Sequence, residues 1–205
     1  MEAFVEAIKN PEGEVRWVDV TKDEAIERGV ALTVNYCRDI APVETYQAVE
    51  LKCDPLTIAM ENGVKITLTG QADRVRLVGD MKGISDLKSG TRIVNSKGEV
   101  AIDKHVAQLG TYELIEVLVK QTTGEEMLAD AQVIALPTQG DPTPVTTTVR
   151  RPSRVLLGDE NRPGLLHAAA RMIEAETFYG NPQSMLCSDK YCPAHATCWW
   201  RAQQE

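Results

Sequence analysis

Apolar and polar residues alternate from Val64 to Leu68 and again from Arg74 to Val78, the period-two pattern of a half-buried strand. Gly70 interrupts the alternation, which marks a bulge or a close backbone approach. A short strand is expected over residues 83–88, after the turn-like run Val78 to Gly83, so the two should pair antiparallel. Further strands are expected over residues 45–52, 127–136 and 146–151, with Ala131 to Leu136 the apolar centre of the second. Thr21-x-x-Glu24 is a capping-box pattern and opens a helix running to about Asp39. A second helix is expected over residues 104–120, with a core face of Leu109, Leu114, Val117 and Leu118. A last one is expected over residues 163–179, with Leu166, Ala170, Ile173 and Thr177 along one side. His167 there reads as a packing residue, and Pro137 to Pro144 as a turn-rich connector.

A chain of 205 residues is enough for one domain with a sizeable core and short for two, so residues 1–205 are read as one unit with a cysteine-rich segment over 181–200. Hydrophobic content of 43% and charged content of 25% are those of an ordinary globular protein, which sets aside disordered and fibrous classes. No apolar run reaches membrane-spanning length, and no signal peptide opens the chain, so a cytoplasmic protein is expected.

The net charge of −8 argues against a nucleic-acid partner until its distribution is considered. Residues 1–60 hold 12 acids and 6 bases, a net of −6, whereas residues 73–104 hold 7 bases and 5 acids, a net of +2. Arg74, Arg76, Arg92, Lys97 and Lys104 are therefore candidates for phosphate contacts, and Arg150, Arg151 and Arg154 form a second basic cluster.

The basic region also holds Asp73, Asp86 and Lys88. Residues two apart on a strand share a face, so Asp86 and Lys88 emerge side by side while Leu87 turns the other way. If the two strands pair, Asp73 faces Asp86. Two apposed carboxylates need a shared proton or a cation. Oxygen ligands favour magnesium or manganese, which can activate water and polarise a phosphoryl oxygen, and a neighbouring lysine can stabilise developing negative charge. On its own, an Asp-x-Lys triplet is usually a solvated ion pair of little energetic value. His105, Gln108 and Tyr112 fall at i, i+3 and i+7, one stripe of the second helix.

In order, Glu50, Gly70-x-x-Asp73, Asp86-x-Lys88-Ser89-Gly90 and Gln108-x-x-x-Tyr112 resemble the PD-(D/E)xK nuclease superfamily, specifically its RecB-like exonuclease branch. The resemblance covers about residues 45–120, with a weaker stretch from Leu165 onward. It implies an α/β, restriction-endonuclease-like core, a central mixed sheet flanked by helices. The implied activity is a magnesium- or manganese-dependent deoxyribonuclease, an exonuclease by that branch, acting on DNA in recombination, repair or phage DNA processing, with recombination or repair proteins as possible partners. Asp73, Asp86 and the Leu87 carbonyl are then metal ligands, Lys88 the catalytic lysine, Glu50 the upstream acid, and Gln108 and Tyr112 supporting residues beside the metal or DNA. Arg74, Arg92 and Lys104 are then the candidates for DNA contact. The family's upstream Gly-x-x-x-His has no counterpart, because His105, His167 and His195 all follow Asp73. The opening Met1 to Ile8 reads as the continuation of such a helix, with Glu2 or Glu6 as substitutes for its ligand. A catalytically impaired DNA-binding or assembly module is the alternative.

Cys187, Cys192 and Cys198 lie close together near the C-terminus, with His195 between the last two. Five cysteines without a secretory signal argue against a disulfide framework and suit soft metal ligation. In the resembled branch such a triplet joins a distant cysteine to hold a [4Fe–4S] cluster. Cys37 and Cys53 are the other thiols, and each reads more simply as a small buried residue. A zinc site completed by His195, and no bound metal, are the alternatives, the former making the chain a zinc-stapled interaction protein. Trp199 and Trp200 are expected to cover this end of the chain.

Overall fold

The computed structural model describes residues 2–13, 20–121, 129–177 and 187–198. Five strands form one mixed sheet in the spatial order β1-β2-β3-β4-β5: β1 (Thr45–Ala59), β2 (Lys65–Val78), β3 (Met81–Gly90), β4 (Ala131–Pro137) and β5 (Val145–Val149). Only the β3–β4 pair is parallel. A parallel pair needs a crossover. Here the crossover carries α3 (Val106–Val119), while α1 (Glu2–Lys9) and α2 (Lys22–Asp39) precede the sheet. The result is the expected α/β, restriction-endonuclease-like core.

Helix α2 starts where its capping box places it: Thr21 Oγ1 accepts the Glu24 amide at 3.3 Å, and Glu24 Oε2 accepts the Thr21 amide at 2.7 Å. Its Leu32, with Ile40 beyond its end, packs on Ile134 and Leu136 of β4, with Tyr36 and Leu87 alongside. The opposite face of β4 presents Ala131, Val133 and Ala135 to the main core with Val75, Ile84, Leu109 and Ile115. β4 is thus buried on both faces, which explains why it is apolar throughout except for Gln132.

Three elements depart from their expected limits, and of these β4 begins at Ala131 rather than near residue 127, with residues 129–130 outside the strand. β1 continues past residue 52 to Ala59, because its distal part and that of β2 supply Leu56, Ile58, Ile66 and Leu68 to a third cluster around Leu114, Leu156 and Leu166. The register shifts between Cys53 and Leu56, and Pro55 falls inside that break on an edge strand, where a missing amide hydrogen is tolerated. The last helix, α5, spans only Leu165–Glu174 after the short α4 (Arg154–Leu157). Leu166 and Ala170 are buried, whereas Ile173 is largely exposed. His167 is half-buried, and residues 178–179 lie outside the described residues.

Helix α3 is more enclosed than its sequence suggests. Leu109, Gly110 and Tyr112 to Glu116 are all buried, while Leu118, expected in the core, is 55% exposed. The cause is a second partner on its outer side: Glu113 accepts a 2.6 Å hydrogen bond from Ser153 Oγ, and a Cβ at Gly110 would lie 2.6 Å from the Pro152 carbonyl oxygen. Alanine at Gly110 would gain about 1 kcal/mol of helix propensity. Pushing the Pro152 backbone aside costs about 1–3 kcal/mol, so the steric effect wins. Gly110→Ala is expected to lower the urea midpoint of unfolding; an unchanged or raised midpoint would show that the 152–153 segment yields freely.

Candidate active site

Along β2 the core-facing residues Ala72 and Val75 are separated by two positions, not one, and along β1 so are Ala48 and Leu51. These are register partners, Ala48 with Val75 and Leu51 with Ala72, so each strand spends one extra residue without disturbing the pairing. Glu50 and Asp73 lie in that matched irregularity, and Glu50 takes the left-handed conformation at φ 51°. At the same place the β2–β3 ladder ends. It runs from Val78–Met81 to Arg74–Ser85 and no further. Asp73 Oδ2 instead accepts the Leu87 amide at 2.8 Å, a side chain taking a backbone donor where the strands part.

On β3, Asp86 and Lys88 share the face of Ile84, toward α3. Asp86 is fully buried, and Lys88 is 23% exposed at its side chain. The Lys88 Nζ lies 3.0 Å from Oδ1 and 2.9 Å from Oδ2, but only Oδ1 accepts a well-directed hydrogen bond. Burial pushes the Asp86 carboxyl above the usual range; the hydrogen bond and charge of Lys88 oppose this, and the charge of Asp73 adds to it. His105 is within electrostatic reach of both Asp86 and Lys88. Burial first, then the Lys88 charge, hold its imidazole below its ordinary pKa, in the neutral form. It stands at the N-cap of α3, after a short 3₁₀ turn over Ile102–Lys104.

Tyr112 is buried and its hydroxyl accepts from Gln108 Nε2 at 3.0 Å. Its ring lies over Gly70, where a Cβ would come within 2.6 Å of it, which is why the Gly-x-x-Asp run begins with glycine. The helix stripe is therefore a support beside the acids: His105 and Gln108 are half-exposed and Tyr112 is core.

Other candidates fall elsewhere. Glu50 is beside Asp73 through the backbone, yet it is exposed and its carboxylate accepts from Gln71 Nε2 at 2.7 Å. Arg92 and Lys104 are exposed. Arg74 points to the α2 side of the sheet, away from Asp86, with its guanidinium 5.5 Å from the Tyr36 ring and 5.3 Å from the Tyr46 ring. Strand alternation from Val75, which faces α3, dictates that placement. It makes Arg74 a packed residue, not a surface phosphate contact.

The cysteine expectation finds no support among the described residues. Among the described residues, no group of three or more His, Cys, Asp or Glu side chains gathers to hold a metal. Cys187, Cys192 and Cys198 are partly exposed and separated by turns closed by Cys192 N to Ser188 O at 2.9 Å and His195 N to Cys192 O at 3.0 Å. Cys53 is buried in the main core, as expected, but Cys37 is exposed on α2. Trp199 and Trp200 and the loop over residues 181–184 lie outside the described residues. Among the described residues, no helix is long and apolar enough to cross a membrane.

The donor set fits a hard divalent cation. Asp73 lies within electrostatic reach of Asp86 where two strands part, and Asp86 Oδ2, though buried without a well-directed hydrogen bond, has the Lys88 ammonium 2.9 Å away. A family model of the PD-(D/E)XK nuclease superfamily matches residues 2–199, taking in the whole site and the elements on either side of it. A search of curated proteins finds no match.

A raised carboxyl pKa favours the fold below the ordinary value of about 4 and loses that contribution as pH rises through the raised value. Asp86→Asn should therefore raise the metal-free melting temperature at neutral pH and flatten its fall between pH 4 and neutrality. Part of that fall should remain, because burial raises the Glu113 carboxyl too. A lower melting temperature in the variant would contradict the reading of Asp86 as a strained ligand.

Proposed function

Because the chain belongs to the PD-(D/E)XK nuclease superfamily, we propose that it is a metal-dependent deoxyribonuclease, an exonuclease of the RecB-like kind. The observation that carries the reading is the buried Asp86 carboxylate, with one oxygen free of hydrogen bonds, set beside Asp73 and Lys88. Asp73 and Asp86 would hold a magnesium or manganese ion, with the Leu87 carbonyl as a third ligand. One residue's amide and carbonyl leave an extended strand on the same edge, so that carbonyl faces the gap where the Leu87 amide meets Asp73.

The metal, when bound, supplies charge neutralisation at the phosphate and a more acidic water. The chain's own residues do the rest. Lys88, partly exposed above Asp86, places a fixed positive charge at the mouth of the site, where it can orient water and stabilise charge on the phosphate. His105 is neutral there and can accept a hydrogen bond from the same water. Tyr112 and Gln108 hold the α3 wall against Gly70 and so fix the strand carrying Asp73. Arg92, just past β3, and Lys104, just before His105, are the exposed cations nearest in sequence to this site and are assigned to phosphate contacts. Residues 1–205 act as one nuclease domain, in the cytoplasm, in recombination, repair or phage DNA processing.

One observation favours a second reading, a DNA-binding module without cleavage: among the described residues the site gathers fewer than three acidic or histidine ligands. Cleavage separates the two. Linear DNA incubated with manganese should be degraded by the wild type, and chelation should stop it. Asp86→Ala and Lys88→Ala should each reduce the rate by at least about a hundredfold while far-ultraviolet circular dichroism stays native. Unchanged cleavage by both variants would overturn the assignment, and DNA binding by a wild type that never cleaves would establish the second reading.

A further inference from the structure

On the reverse side of the sheet, directly behind the acids, lies a polar network that the proposed chemistry does not use. Ser85 precedes Asp86 and is fully buried, and Arg74 follows Asp73; these two residues are register partners in the last rung before β2 and β3 part. Ser85 Oγ donates to Gln132 Oε1 at 2.8 Å, and Gln132 Nε2 donates to Glu44 Oε1 at 2.9 Å. Gln132 is itself only 6% exposed and sits opposite Ser85 in the parallel β3–β4 register. Beside this chain, the Arg74 guanidinium stacks near Tyr36 and Tyr46, whose hydroxyls are 3.1 Å apart. The network joins α2, β1, β2, β3 and β4 at one level of the sheet.

We propose that Ser85, Gln132 and Arg74 are positioning residues that set where the β2–β3 ladder stops, and thereby hold Asp73 and Asp86 at metal-binding separation. The physical reason is register. Ser85, Gln132 and Glu44 satisfy one another in this pairing alone; a slip of β3 by one residue would turn Ser85 toward α3 and leave Gln132 buried with an unpaired carbonyl. With β3 pinned to β4 from behind, β2 is the strand that gives way beyond Arg74. Its Asp73 carboxylate then reaches the Leu87 amide. Arg74, held between two rings from different elements, keeps β2 from peeling back any further.

The test uses Ser85→Ala and Gln132→Met in the full chain, with Leu166→Ala as a control that loosens a separate cluster. Hydrogen exchange of the Leu87 amide is measured without metal, and manganese affinity by calorimetry. Both network variants should exchange Leu87 about tenfold faster than wild type and bind manganese about tenfold more weakly, whereas Leu166→Ala should change neither. Wild-type protection of Leu87 in folded Ser85→Ala and Gln132→Met would overturn the proposal; if Gln132→Met does not fold, Ser85→Ala decides alone. The metal arm rests on the nuclease reading above. If wild type binds no manganese yet the variants still lose Leu87 protection, that reading fails and the positioning role stands.

Discussion

Asp86 is a carboxylate taken wholly out of water, with a lysine against both oxygens and a hydrogen bond to only one. Burying such a group is expensive, and a single partly exposed lysine does not cancel the cost, as the raised pKa shows. The surrounding structure must therefore over-determine it. At Asp86, β3 is paired with β4 on one edge, while on the other the β2 ladder has just ended and only the Asp73 carboxylate reaches across to the Leu87 amide, with α3 above and α2 below. Held in this way, the segment keeps an unfavourable charge in place, and the benefit is a site already arranged for a cation before one arrives.

The second constraint is the parting of the strands. A regular antiparallel ladder would commit the Leu87 amide to a backbone carbonyl of β2. The extra residue spent in both β1 and β2 changes this without shifting the register between Ala48–Val75 and Leu51–Ala72; the register shifts of the hairpin lie outside that stretch, between Tyr46 and Ala48 and between Cys53 and Leu56. The irregularity also accounts for Glu50. Its left-handed backbone carries it past the acids, and its carboxylate is bonded to Gln71.

Local chemistry was legible in the sequence wherever a single element decides it. The Thr21–Glu24 box placed the start of α2, and alternation placed β2 and β3 within a few residues. The Asp86 and Lys88 pair followed from strand periodicity alone. What escaped was set by neighbours far away in the chain. Leu118 falls on a side of α3 that neither the main core nor the 152–153 segment covers, and Arg74 packs against Tyr36 and Tyr46, which nothing near it in sequence announces. Gln132 looked like one polar residue in an apolar strand; its role depends on Ser85 and Glu44, which lie on two other strands or their approaches. The cysteine spacing suggests a centre for which no ligand group gathers among the described residues.

The central claim is that Asp73 and Asp86 together form a cation site at the strand parting. Anomalous diffraction at the manganese edge from crystals grown with manganese tests it most directly. A peak between the two carboxylates, bounded by the Leu87 carbonyl, is the predicted result. No peak there, with manganese bound elsewhere or not at all, would contradict the account.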